Sequence, residues 1–251
     1  MQIHVDTVPV CGLNVASEDK NACLYALLCA APGDALTVFT PNAEMLAAAR
    51  HNGALRSLLR CGDLLLPDGI GACILSRFRI RRRIPGIEMG EALLSAAARR
   101  GDRVYLLGGK PGVARRAAVR LKRCRPHLNI AGTHHGYFAE GGREERELLQ
   151  EIIRARPALL IVCLGFPRQE RFLCHVKKAI PTLRVGIALG GALDVFSEDV
   201  RRAPLLFRKC GAEWLWRIAC EPKRARRLFR RLCGKEPLTE ATSAAPRGTS
   251  G

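Results

Sequence analysis

The chain has 251 residues, 48% of them apolar, which suits one large α/β domain or a domain plus an appendage and gives ample material for a core. No apolar run approaches the roughly 20 residues needed to span a bilayer as a helix. The formal net charge of +18 is concentrated: residues 208–235 carry ten Lys/Arg against Glu213 and Glu221. Such a segment points to a partner of negative charge, whether anionic lipid, nucleic acid or a phosphorylated substrate. Eleven cysteines are present. Cys23, Cys29, Cys163 and Cys174 stand among Ala, Leu, Ile and Val, as small core residues do, and there is no Cys-x-x-Cys pair. The opening residues are mixed and polar rather than a signal peptide. The expectation is a reducing, cytosolic setting with free thiols.

In chain order, residues 2–10 are expected to be extended, with Val8-Pro9-Val10 suited to a sheet edge. Ser17 is the predicted N-cap of a helix running to about Ala31, followed by a turn at Pro32-Gly33-Asp34. Residues 36–40 read as a strand, stopped by Pro41, which opens a helix over 42–52. Residues 63–66 form a short strand ended by Pro67-Asp68-Gly69, with a helix predicted over 70–78 and a basic loop over 79–83. A helix covers 88–100. Residues 104–107 form a strand that closes in Gly108-Gly109-Lys110-Pro111-Gly112 and leads into a helix to Arg123. A weaker strand, 129–132, precedes Thr133-His134-His135-Gly136-Tyr137, and 144–154 is helical.

The run Leu159-Leu160-Ile161-Val162-Cys163 is continuous and rich in β-formers, as a strand buried on both faces is. It breaks at Gly165-Phe166-Pro167 and opens a helix over 168–178. Residues 184–189 form the last core strand, closed by Gly190-Gly191-Ala192. About six strands alternating with helices predict an α/β fold: a mostly parallel, Rossmann-like sheet with helices on both faces, over residues 1–195. Residues 196–235 are expected to be a basic, amphipathic helical appendage. Residues 236–251, rich in Ser, Thr, Ala, Pro and Gly, are expected to be disordered.

In a parallel sheet the strand ends share one rim, and ligands of open α/β sheets bind there. The rim then collects Thr40 and Asn42, Asp68, Gly108 and Gly109, His135, Arg168 and Gln169, Gly190 and Gly191, with Asp194 just after. Glycines let backbone N–H groups approach phosphate, and amides, cations and one carboxylate suit a phosphate-containing ligand with one acid/base group. Asp68 is the rim carboxylate that opens a helix, so it is the expected base. Plainer readings compete: Asn42 as a helix cap, Asp68-Gly69 as an ordinary turn, Asp194 as a cap, and His134 and His135 as adjacent residues pointing apart in a structural role. The dinucleotide fingerprint G-x-G-x-x-G is not met, and no Cys/His/Asp cluster has metal-ligand spacing.

Thr40-Pro41-Asn42-Ala43-Glu44, Pro67-Asp68-Gly69-Ile70-Gly71, Arg83-Ile84-Pro85-Gly86, Leu106-Leu107-Gly108-Gly109, His135-Gly136-Tyr137-Phe138, Gly165-Phe166-Pro167-Arg168-Gln169-Glu170 and Gly190-Gly191-Ala192-Leu193-Asp194 occur in one order. Together they resemble the WecG/TagA/CpsF glycosyltransferase family over about residues 5–233. Arg201-Arg202-Ala203-Pro204, Glu213-Trp214-Leu215-Trp216-Arg217 and Glu221-Pro222 fit it too. The segment between Gly71 and Arg83 is a few residues shorter than usual for the family.

The resemblance implies transfer of a sugar from a UDP-sugar to a polyprenyl-diphosphate-linked N-acetylglucosamine. In the best-known members the donor is UDP-N-acetylmannosamine, and the anomeric centre inverts without a metal; no cofactor is implied. It casts Asp68 as catalytic base. It places Thr40, Asn42, Arg83 and Gln169 around the sugar and diphosphate, and Asp194 near the uracil. An inverting transfer needs a base for the acceptor hydroxyl and positive charge for the leaving diphosphate, so Arg83 is expected to meet the departing UDP. Trp214 and Trp216 among basic residues suit an anionic membrane surface, and Arg217, Arg224 and Arg227 are within the appendage that would reach the acceptor's diphosphate. The alternatives are transfer of another sugar (glucosyl or N-acetylmannosaminuronic acid), a nucleotide-binding oxidoreductase, or a nucleic-acid binder. The last lacks an aromatic-rich strand as a stacking platform. A homo-oligomer is left open.

Overall fold

The computed structural model describes residues 4–200, 202–204, 207 and 216. The chain opens with an antiparallel hairpin, β1 Thr7–Val10 and β2 Leu13–Ala16. Its two-residue loop, Cys11 and Gly12, has both φ angles positive at 51° and 77°, the sense of turn that matches strand twist. Pro9 stands on an edge strand, as expected, but β2 was not anticipated. Ser17 is not a cap. Its N–H closes the hairpin on the Asp6 carbonyl, and Asp19 caps helix α1 (Lys20–Leu28) by accepting from the N–H groups of Asn21 and Ala22.

Six strands then form one parallel sheet. They are β3 (Leu36–Phe39), β4 (Leu64–Leu65), β5 (Arg103–Gly108), β6 (Asn129–His134), β7 (Leu159–Cys163) and β8 (Val185–Ala188). Their order across the sheet is β4-β3-β8-β7-β5-β6 and every pairing is parallel. The connecting helices are α2 (Ala43–His51), α3 (Gly53–Arg60), α4 (Ile70–Leu75), α5 (Gly86–Arg100), α6 (Val113–Cys124), α7 (Arg143–Ala155), α8 (Arg168–Val176) and α9 (Ala192–Phe196).

Alternation along each strand divides the core between the two faces. Leu159, Ile161 and Cys163 join Leu106, Val185 and Ile187 on one face, under Leu27 of α1, Leu94 of α5, Ala117 of α6 and Leu193 of α9. Leu160 and Val162 join Phe39, Tyr105 and Leu107 on the other, under Leu46 of α2, Leu59 of α3, Ile152 of α7 and Phe172 of α8. Strands covered on both faces are what continuous apolar runs predict.

Differences from expectation have local causes. α3 was unforeseen; Asn52 ends α2 and accepts from the Leu55 N–H to cap the next helix. α4 stops at Leu75 rather than Phe78 because Arg77 and Phe78 take left-handed φ angles of 55° and 57°. α8 tightens into a 3₁₀ turn, Lys177–Ala179. β6 runs on through His134. Cys23 and Cys163 are core residues as expected, and burial pushes the Cys163 thiol up to about 12, but Cys29 is exposed. No described helix is long and apolar enough to cross a membrane. The predicted disordered tail, 236–251, lies outside the described residues.

Candidate active site

The carboxyl ends of all six strands meet at one rim, and hydrogen bonds link each to its neighbour. At the β4 edge, the Asp68 N–H donates to the Pro41 carbonyl beyond β3 (3.1 Å). Thr40 Oγ1 donates to the Ala188 carbonyl at the end of β8 (3.0 Å). Gln169 Oε1 accepts from Gly190 N (3.0 Å) and Gly165 N (3.2 Å), joining the β8 and β7 ends. The Gly109 N–H donates to the Cys163 carbonyl (3.4 Å), and Gly136 donates to Gly109 (2.9 Å), reaching β6. Asp68 and Gln169 are thus on the same edge of the sheet, three linked loops apart.

Two glycines permit this closeness. A Cβ on Gly108, at φ 133°, would lie 2.3 Å from the Cys163 carbonyl oxygen. A Cβ on Gly71 would lie 2.4 Å from the Ala43 Cβ, so the starts of α2 and α4 touch. Asp68 is half-buried just before α4, which has Gly69 at its N-cap. Arg83, also half-buried, precedes Ile84, whose N–H donates to the Pro67 carbonyl (2.8 Å); the arginine therefore adjoins the segment carrying Asp68.

Several rim residues have structural tasks. Asn42 caps α2, accepting from the Met45 N–H at 3.0 Å. Arg168 turns back on the β6 loop, donating to the carbonyls of Gly136 and Phe138 and lying 4.2 Å over the Phe138 ring. Its guanidinium is a clamp between two loops. The His134 and His135 rings do not point apart; their centroids are 4.4 Å from each other. His134 Nδ1 meets the His135 carbonyl (2.8 Å), and His135 Nδ1 accepts from the Tyr137 N–H. Burial and the neighbouring ring hold the His135 pKa below its ordinary value.

Asp68 is not the single rim carboxylate expected. Asp194 stands in the first turn of α9 beyond Gly190 and Gly191, and Glu170 in the first turn of α8. Of the appendage residues, Trp216 is half-buried with its ring 5.7 Å from that of Phe207. Trp214, Arg217, Arg224 and Arg227 lie outside the described residues.

Glu170 adds a buried carboxylate beside Gln169. It is 0% exposed, with Oε1 accepting from Gln169 Nε2 (2.9 Å) and Oε2 unpartnered. The network fixes the Gln169 amide: its oxygen faces two N–H donors and its nitrogen faces a carboxylate, leaving one N–H for a ligand. Desolvation pushes the Glu170 carboxyl up to about 7. An acid whose folded pKa is raised binds more protons folded than unfolded, so its contribution is full below the unfolded value and is lost as pH rises through 7. Stability should therefore fall between about pH 4.5 and 7, by on the order of 3 kcal/mol if this group acts alone. Glu170→Gln should flatten that slope in urea denaturation; a slope identical to wild type would remove Glu170 as its source.

A cavity of about 370 Å³ is lined by Lys20, Glu88, Glu91, Ser95 and Arg202 among others and includes neither Asp68 nor Gln169. Arg202 there is paired with Glu91 (2.9 Å) and Glu88 (3.8 Å), which joins residues beyond α9 to α5.

A parallel α/β sheet that gathers carboxylates, amides and an arginine along its carboxyl edge has the layout of a ligand-binding α/β enzyme. The family model for the glycosyl transferase WecG/TagA/CpsF family matches residues 8–235, and the chain belongs to that family of glycosyltransferases. Two relatives carry the name N-acetylglucosaminyldiphosphoundecaprenol N-acetyl-beta-D-mannosaminyltransferase. That of Bacillus spizizenii strain W23 is 34% identical over 195 residues, covering 76% of this chain and 74% of the relative. That of Bacillus subtilis strain 168 is 33% identical over 196 residues, with the same coverage.

Proposed function

We propose that the chain transfers N-acetylmannosamine from UDP-N-acetylmannosamine to a polyprenyl-diphosphate-linked N-acetylglucosamine, in cell-surface polymer synthesis. The observation that carries this reading is the hydrogen-bonded continuity of the rim from Asp68 to Gln169, in a chain whose relatives are named for N-acetyl-beta-D-mannosaminyl transfer to N-acetylglucosaminyldiphosphoundecaprenol. The Asp68 carboxylate takes the proton of the acceptor hydroxyl as its oxygen attacks the anomeric carbon. The bond from that carbon to the diphosphate oxygen breaks, and UDP leaves with the electron pair. The anomeric centre inverts. Arg83, beside the Asp68 loop, meets the charge growing on the leaving diphosphate, a task that a divalent cation performs in other transferases.

The Gly108-Gly109 turn, bare of side chains, lets the diphosphate approach the backbone, Thr40 and Asn42 shape the wall beside Asp68, and Asp194 faces the uracil. The remaining Gln169 N–H reaches a sugar hydroxyl. Arg217, Arg224 and Arg227 would meet the acceptor's diphosphate, and Trp214 and Trp216 the bilayer, so that the enzyme works peripherally at the inner face of the cell membrane.

The test is incubation with a panel of UDP-sugars and a short-chain prenyl-diphosphate-N-acetylglucosamine, followed by mass spectrometry of the lipid. UDP-N-acetylmannosamine should add one N-acetylhexosamine. A hexose or uronic-acid increment from another donor would favour the alternative transfers. No increment from any donor, with NAD(P) bound instead of UDP, would favour an oxidoreductase.

A further inference from the structure

The sequence after Asp68 places apolar residues where a soluble domain seldom shows them. α4 buries Ala72 and Cys73 but leaves Ile70 38%, Ile74 54% and Leu75 36% exposed; Phe78, just beyond, is 65% exposed. Single exposed apolar residues are ordinary, whereas four in nine positions make a patch.

The backbone holds that patch outward. Arg77 and Phe78 sit consecutively in the left-handed region, which bulky residues seldom adopt. The turn is locked from both sides. The Phe78 N–H donates to the Cys73 carbonyl (2.8 Å) and the Arg77 N–H to Ile74 (2.9 Å). Ser76, fully buried, donates to the Cys73 carbonyl and accepts from the N–H of the fully buried Ile80. Arg79 braces the loop on the Pro9 carbonyl of β1 (2.7 Å). An unfavourable conformation fixed by buried neighbours keeps a phenyl ring in solvent.

Arginines surround the ring. Residues 77–83 contain five, of which Arg77, Arg79, Arg81 and Arg82 are exposed, with Asp19 near Arg82 at 3.7 Å. We propose that α4 and the turn through Arg82 form a membrane-docking edge. Ile74, Leu75 and Phe78 enter the boundary between headgroups and acyl chains, and Arg77, Arg81 and Arg82 meet anionic lipid phosphates. Charge complementarity selects this occupant. A second copy would bring four more exposed arginines against these, and residues 208–235 of the chain are themselves strongly basic.

This site lies in residues 70–82, apart in sequence from the basic residues 208–235. Its consequence rests on the proposed lipid-linked acceptor: α4 is about 9 Å long, so docking through its far end holds Asp68, at its start, beside the bilayer surface.

The experiment is co-sedimentation of the full chain with phosphatidylcholine vesicles, with and without phosphatidylglycerol. Phe78→Asn suits it, because Asn tolerates the left-handed conformation and the variant should melt no lower than wild type. We expect Phe78→Asn, and separately Arg77→Glu/Arg81→Glu, to weaken binding to the anionic vesicles about tenfold. Transfer to a soluble short-chain acceptor should persist in Phe78→Asn. The proposal is overturned if wild type does not bind anionic vesicles or if both variants bind them as wild type does. It is equally overturned if Phe78→Asn leaves vesicle binding intact and instead dissociates an oligomer in light scattering. Vesicle binding is read without any sugar donor, so it can fail while transfer succeeds, and the converse.

Discussion

Asp68→Asn is expected to lower turnover by roughly 10²–10⁴-fold, the usual worth of a positioned general base, while UDP binding measured by calorimetry stays near wild type. Asn preserves the shape of the side chain, and the link that seats this loop, Asp68 N–H to Pro41, is made by the backbone and survives. The loss should therefore fall on kcat rather than on donor affinity. This substitution also separates Asp68 from Glu170 and Asp194. Glu170 is sealed from solvent and bound to Gln169, and Asp194 follows Gly190 and Gly191 in the first turn of α9. If Asp68→Asn keeps its activity, the base is another group, and Asp194→Asn is the next variant to measure.

Gln169→Leu is expected to cost both stability and activity. The Gln169 oxygen is the shared acceptor of Gly165 and Gly190, and the residue is 4% exposed, so its removal leaves two N–H groups and the Glu170 carboxyl without their partner. An orphaned buried group costs about 1–3 kcal/mol, and the half-buried Gly165 and Gly190 N–H groups cost less because water reaches them. A net loss of about 2–5 kcal/mol lowers Tm by roughly 5–15 °C in a chain of this size. Activity measured well below that Tm should still fall steeply, because the β7 and β8 loops lose their common tie. A variant that melts like wild type would show that Gln169 does not hold the loops together.

The sheet was legible because buried parallel strands advertise themselves. Leu159-Leu160-Ile161-Val162-Cys163 is apolar without interruption, and Gly or Pro marks the exit of nearly every strand. The rim followed from the parallel arrangement. Other features were hidden for physical reasons. The β1–β2 turn uses Cys11 where Asn or Asp would signal a positive φ. The end of α4 depends on Arg77 and Phe78 adopting angles that neither residue favours. Arg168 reads as a ligand group beside a Pro turn, but the loop folded back from β6 supplies carbonyls that claim it. Glu170 looks like a surface residue in a polar helix start. That its carboxyl is buried against Gln169 follows from how α8 packs on the rim, which spacing along the chain does not show. Its signal was present in the motif Gln169-Glu170, an amide beside a carboxylate at a strand exit.

The claim beneath the mechanism is that distant loops form one nucleotide-sugar pocket, and hydrogen exchange with and without UDP tests it most directly. Protection should concentrate in residues 40–45, 67–72, 108–113, 165–170 and 189–194. Protection absent from these segments, or centred on the opposite edge of the sheet where Asp63 holds Thr37 and Lys177, would contradict it.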